Sequence, residues 1–115
     1  MLPAAHRMRT AADFTDTTRR GSKVTRGCVV VYVTTGDAAG APRVGLIVNR
    51  AVGNSVVRHR VARRIRGAMA PLLQTLPTGA RLVVRALPGA GSDPGLPDTV
   101  ASAVAAALAR TTGQD

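Results

Sequence analysis

Residues 43–66 read Arg43-Val-Gly-Leu-Ile-Val-Asn-Arg-Ala-Val-Gly-Asn-Ser-Val-Val-Arg-His-Arg-Val-Ala-Arg-Arg-Ile-Arg66, and two different periodicities meet inside this stretch. Arg43 to Asn49 is dominated by Val, Leu and Ile and predicts a strand. From Asn54 the spacing changes. Val57, Val61, Ile65, Ala68, Met69 and Leu72 recur at three and four residues, which sets them on one arc of a helix spanning residues 54–73. Gly53 allows a tight turn between the two elements, and Asn54 or Ser55 can cap the helix. Pro71 removes a backbone donor, so the helix should weaken close to it. At about 100° per residue, His59, Arg60, Arg63, Arg64 and Arg66 fall opposite the apolar arc. Arg58 sits at the border, with its stem along the apolar edge.

Five arginines within nine residues, with no interleaved acid to form i,i+4 pairs, repel one another unless an anion comes from outside. The guanidinium fork suits phosphate oxygens and can also stack on unpaired bases. The helix start behind Gly53-Asn54 adds backbone N–H groups and the positive end of the helix dipole. A polyanion-binding helix is therefore favoured over a merely solvated basic face.

Moving outward, the whole chain shows the same bias. Its 115 residues carry 16 Lys+Arg against 6 Asp+Glu, a net charge of +10. All but one of these cations are Arg, the exception being Lys23, and all the acids are Asp. Residues 38–92 hold nine arginines and no acid, and seven of the nine lie between Arg43 and Arg66. A compositional preference for Arg explains the single Lys but not the avoidance of Asp in mid-chain. A face kept clear for phosphates explains that avoidance.

The remaining elements follow from pattern. Thr10–Thr18 suits a short helix with Phe14 inward. Cys28–Thr34 is a β-branched run and predicts a strand, with a shorter extended piece over Lys23–Arg26. Residues 36–42 form a turn, Arg81–Leu87 a further strand, and residues 88–97, with three Pro and three Gly, a loop. Asp98 is the expected N-cap of a last helix running to about Arg110. The length suits a single domain over residues 1–115, with 1–6 and 111–115 as mobile ends.

Several classes are disfavoured. The lone Cys28 cannot form an internal disulfide and reads as an inert buried thiol. No signal peptide and no membrane span is expected, since the apolar runs are short. A basic helix following a strand argues against a DNA-binding helix-turn-helix. With His6, His59 and no Glu, no catalytic carboxylate pair, Ser/His/Asp set or Cys/His metal spacing is readable. His59 is taken as a contact residue rather than a general base.

The 43–66 block resembles the signature of the bacterial ribonuclease P protein subunit. That family has a strand ending in Ser-Lys-Lys, then Val-Gly-Asn-Ala-Val, then Arg-Asn-Arg-Val-Lys-Arg on a helix. The likeness extends to Arg7-Met8-Arg9, Asp13-Phe14, Arg19-Arg20-Gly21, Tyr32, Leu76-Pro77 and Leu82-Val83-Val84-Arg85, in order over about residues 6–110. The chain departs from the pattern at Arg50-Ala51, at His59, at Ala62 (usually Lys) and at Gly67. Thr17 and Thr18 stand where the first helix usually has a second aromatic.

The resemblance implies an α/β fold, an α+β two-layer sandwich in the order α-β-β-β-α-β-α. It has a four-stranded mixed sheet and a left-handed βαβ crossover, against the usual hand. It implies a cytoplasmic ribonucleoprotein for tRNA processing, in which an RNA subunit holds Mg²⁺ and cleaves the 5′ leader from precursor tRNA. The protein would then be the accessory subunit of an endonuclease, with no catalytic residue of its own. By position, Arg50, Asn54, Arg58, His59, Arg60, Arg63 and Arg66 are candidates for the catalytic-RNA face. Phe14, Arg19, Arg20 and Tyr32 are candidates for the leader cleft, where an aromatic beside cations suits sequence-tolerant stacking. The sequence leaves protein-bound metal open and implies no membrane and no DNA partner. The alternative is a non-catalytic basic module for ribosome assembly or RNA annealing.

Overall fold

A run of valines between tight turns builds the sheet. In a computed structural model, which describes residues 11–35, 42–77 and 79–110, strand β1 (Ser22–Arg26) turns at Gly27-Cys28 into β2 (Val29–Thr35). β3 (Arg43–Ile47) follows, and β4 (Ala80–Ala86) closes the set. The basic segment with His6, Arg7 and Arg9, most of the expected 36–42 turn, and residues 111–115 lie outside the described residues. The sheet order is β1-β2-β4-β3. β1–β2 and β2–β4 are antiparallel, and β3–β4 is parallel. Helix α1 (Ala11–Arg20) precedes β1, α2 (Ser55–Met69) makes the crossover from β3 to β4, and α3 (Leu96–Ala109) ends the fold. This is the α-β-β-β-α-β-α order and four-stranded mixed sheet that the resemblance implies.

Strand alternation gives the sheet two different faces. Val29, Val31 and Val33, with Leu82, Val84, Ala86, Val44 and Val24, point to one side. There they meet Val61, Ile65 and Met69 of α2 and Val100, Ala103, Val104 and Ala107 of α3. Fully burying side chains of this size is worth about 1.5–3 kcal/mol each, so this layer carries most of the stability. On the other side Val30, Tyr32 and Val83 form a smaller cluster, against which Phe14 of α1, Ile47 and Leu87 pack. The chain passes from α1 to the sheet through Gly21. A Cβ there would stand 2.9 Å from the Val33 carbonyl oxygen, so the approach needs glycine.

α2 ends at Met69 and Pro71 sits in a tighter 3₁₀ turn over Ala70–Thr75, the stop close to Pro71 that its missing N–H predicts. Two other local expectations shift. α3 starts at Leu96, so Gly95 and not Asp98 occupies the cap position. Pro97 suits the first turn and carries the start upstream. Asp98 falls in that first turn, where its charge complements the helix dipole. Cys28 lies in the hairpin turn rather than in β2 and is half-buried.

Candidate nucleic-acid interface

The start of α2 is built by the loop before it. Asn49 accepts from the Val52 N–H with its carbonyl oxygen at 3.1 Å and from the Ala51 N–H with Oδ1 at 3.1 Å. Gly53 then enters with φ +154° and Val57 Cβ only 2.9 Å from where a Cβ would stand, so another residue would collide with the helix. Asn54 caps: its Oδ1 accepts from the Val57 N–H at 3.0 Å and its carbonyl oxygen from the Arg58 N–H at 2.9 Å. The cap expected at Asn54 is thus present, and its side-chain oxygen is engaged in holding the helix. Arg50 stands exposed on the turn.

Along α2 the apolar arc packs as read, with Val61, Ile65 and Met69 buried. The cations divide into three groups. Arg60 and Arg63 are exposed on the outer face. Beside them lies Val56, 68% exposed, which leaves an apolar step next to charge. Arg58, His59 and Arg66 turn toward the free edge of β3, where with Ser55 and Ala62 they face Leu46 and Val48 across a recess of about 330 Å³. Arg64 leaves the outer face altogether: its Nη2 donates to the carbonyl oxygens of Asp93 at 2.7 Å and Pro94 at 3.3 Å. None of the α2 arginines forms an ion pair with a carboxylate among the described residues.

The second candidate group lies on the α1 side of the sheet. Phe14 is half-buried, and Tyr32 is 9% exposed in the middle of the small cluster. Arg19 and Arg20 are exposed at the end of α1, where Arg20 Nε pairs with Asp16 Oδ1 at 3.1 Å. The register sets further cations on this face. Arg81 stands beside Arg43 on β3 and Thr34 on β2, Arg85 beside Val30 and Ile47, and Lys23 beside Tyr32. All share the face of Val83, with Arg85, Arg43 and Lys23 exposed. The signal was the period of two in Arg81-Leu82-Val83-Val84-Arg85, which sets both arginines on one side.

Other chemistry is sparse. No group of three or more His, Cys, Asp or Glu that could hold a metal occurs among the described residues. No helix among them is long and apolar enough to cross a membrane. Cys28 Sγ donates to Asp93 Oδ2 at 3.3 Å. Burial, and then the hydrogen bond and charge of Asp93, push its thiol above the ordinary range.

A helix whose arginines have no carboxylate partner among the described residues, crossing between parallel strands and backed by a valine core, defines a basic α/β domain. Comparison with known proteins carries the class to a family. The family model described as Ribonuclease P matches residues 2–110, and the chain belongs to that family. It is 48% identical over 113 residues to the ribonuclease P protein component of Kocuria rhizophila, covering 96% of this chain and 98% of that protein. It is 46% identical over 93 residues to the one from Mycobacterium sp. (strain KMS), covering 80% and 79%. The fold is similar to a Staphylococcus aureus RNase P protein mutant, with TM-score 0.81, 23% identity and coverage of 90% and 89%. It is also similar to the RNase P protein of Thermotoga maritima, with TM-score 0.61, 19% identity and coverage of 95% and 96%. Family membership makes the chain a protein component of a tRNA-processing endoribonuclease, with an RNA partner in the holoenzyme.

Proposed function

We propose that the chain binds the catalytic RNA of ribonuclease P through α2 and the 5′ leader of precursor tRNA between α1 and the sheet. The RNA subunit then carries out Mg²⁺-dependent removal of the leader in the cytoplasm. The observation that carries this reading is the carboxylate-free α2, whose arginines have no ion partner among the described residues. Arg50, Arg58, Arg60, Arg63 and Arg66 supply the charge, His59 is a further contact residue, and Asn54 holds the helix start in place. Neutralising phosphates with these cations releases counterions and gives affinity without demanding a sequence.

The leader half of the reading rests on the joint placement of Phe14, Tyr32, Arg19 and Arg20 with Arg43, Arg81, Arg85 and Lys23 around one face. Phe14, half-buried, offers the aromatic face, while Tyr32 is packed in the cluster it lies against; an aromatic face with nearby cations binds single strands tolerantly. Mg²⁺ takes oxygen ligands in octahedral array. In this reading the ion is held mainly by the RNA subunit, whose phosphate oxygens are ligands of that kind.

Reconstituted cleavage tests the proposal. Adding the protein to its catalytic RNA should lower the Mg²⁺ needed to process precursor tRNA. An unchanged rate and Mg²⁺ dependence, with equal affinity for unrelated RNAs, would instead identify a general RNA-binding module.

A further inference from the structure

The recess between α2 and the free edge of β3 is more than a bed for phosphates, and we propose that it takes one unstacked nucleobase of the catalytic RNA. The inference rests on the RNA-binding reading above and adds a site to it. Phosphates need only exposed cations, which Arg60 and Arg63 already offer. Here the lining adds apolar side chains, Leu46 and Val48 from the strand side and Ala62 from the helix, to its polar groups. A strand of phosphates gains nothing from such apolar contacts, whereas the face of a base does.

Size and donors agree. About 330 Å³ lies at the small end of ligand pockets, suited to one ring system and too small for a helix of RNA. The rim carries the Arg58 and Arg66 guanidinium groups and the His59 ring. Arg58 Nε is buried and has no hydrogen-bond partner among the described residues. A buried donor left unmet is costly, so an acceptor brought by a ligand gains more there than at an exposed arginine. Arginine donors select a base edge rich in acceptors, as guanine presents through O6 and N7. His59 adds a ring on which a base can stack.

Ala62 departs from the motif that the 43–66 block resembles. The resembling motif carries lysine at this position, and a lysine stem would occupy the recess. Alanine leaves it open, and the cation is given up for an apolar contact.

Filling the recess without touching a charge tests the site. Ala62→Leu closes it from the helix and Val48→Phe from the strand. Each full-length variant, checked for folding by circular dichroism, is titrated with the transcribed catalytic RNA over a series of salt concentrations. Both variants should bind about tenfold more weakly at any one salt, with the slope of log K against log salt unchanged. Arg60→Ala, by contrast, should lower that slope by about 0.7–0.9. Filled variants that bind like the unmodified chain would overturn the site, and so would a loss that comes with a shallower slope. Should Ala62→Leu fail to fold, Val48→Phe decides. The parent reading fails separately, if the unmodified protein binds catalytic RNA no better than unrelated RNA of equal length.

Discussion

Arg64 Nη2 donates to the backbone carbonyl oxygen of Asp93 at 2.7 Å, tying the middle of α2 to the loop before α3. A second contact reaches the Pro94 carbonyl oxygen at 3.3 Å. The helical wheel sets Arg64 among the outward cations, yet its side chain is spent on the protein's own backbone. Hydrogen bonds from a charged donor are worth about 1.5–3 kcal/mol. Arg64→Ala should therefore destabilise the fold by about 1–2 kcal/mol, read as a lower midpoint in urea. The salt slope of RNA binding should stay as it is. A shallower slope with unchanged stability would put Arg64 on the RNA instead.

The cap at Asn54 makes a second prediction. Its Oδ1 is the acceptor for the Val57 N–H at 3.0 Å, and the first turn of α2 contains no acid to help. Asn54→Ala should cost about 1 kcal/mol of stability, while Asn54→Ser should restore most of it. Thermal melting of the two variants decides. Equal melting temperatures for Ala and Ser would show that the cap is not what Asn54 contributes.

These two residues also show where sequence reading reaches its limit. The order of elements was legible because β-branched runs, a helical repeat and Gly or Pro punctuation are local signals. Asn54 as cap was legible for the same reason. Arg64 was not: its partner carbonyl arrives from a loop 29 residues away, and periodicity carries no information about that loop. The recess beside Arg58 was hidden likewise, since it needs β3 to be an edge strand, and the strand order is a tertiary fact. Arg81 and Arg85 were within reach. Their alternation was readable, but the valines between them drew the whole segment into the core. The start of α3 was misplaced because a first-turn acid and a cap acid look alike in sequence, and Pro97 separates them only once its position in the turn is known.

Cys28 gives a prediction in pH. Burial, then the hydrogen bond to Asp93 and its charge, raise the thiol above its ordinary value; its own backbone and Arg64 pull the other way with less weight. The folded state therefore favours the protonated thiol. Its contribution to stability is fully present below the unfolded thiol's pKa and is lost as pH rises through the folded one. Alkylation by iodoacetamide between about pH 8 and 9 should be slower in the native protein than in urea. Asp93→Asn should speed the native reaction. Native and denatured rates that coincide would remove the effect.

Thr17 makes an opposite kind of prediction, a gain. It is 0% exposed on the sheet side of α1, and its Oγ1 has no hydrogen-bond partner among the described residues. A buried hydroxyl without a partner costs about 1–3 kcal/mol relative to an apolar group of the same shape. Thr17→Val should raise the melting temperature by several degrees, at about 1 kcal/mol of added stability. A fall in melting temperature would mean that the hydroxyl is bonded in the native protein.

Phe14 separates packing from recognition. It lies half-buried against the Val30–Tyr32–Val83 cluster, where its ring both covers the sheet and borders the cations of that face. Phe14→Ala should lower stability by about 1–3 kcal/mol, since part of a large apolar side chain is lost. Phe14→Leu keeps most of that packing but cannot stack on a base. The two variants then diverge if the ring meets the leader. Both should reduce the holoenzyme's preference for precursor over mature tRNA by at least about fivefold, because stacking is worth about 1–3 kcal/mol per base. Only Phe14→Ala should melt markedly earlier. Affinity ratios that follow melting temperature, normal in Phe14→Leu and reduced in Phe14→Ala, would make the ring a core residue and move leader contact to Arg19, Arg20 and the strand cations.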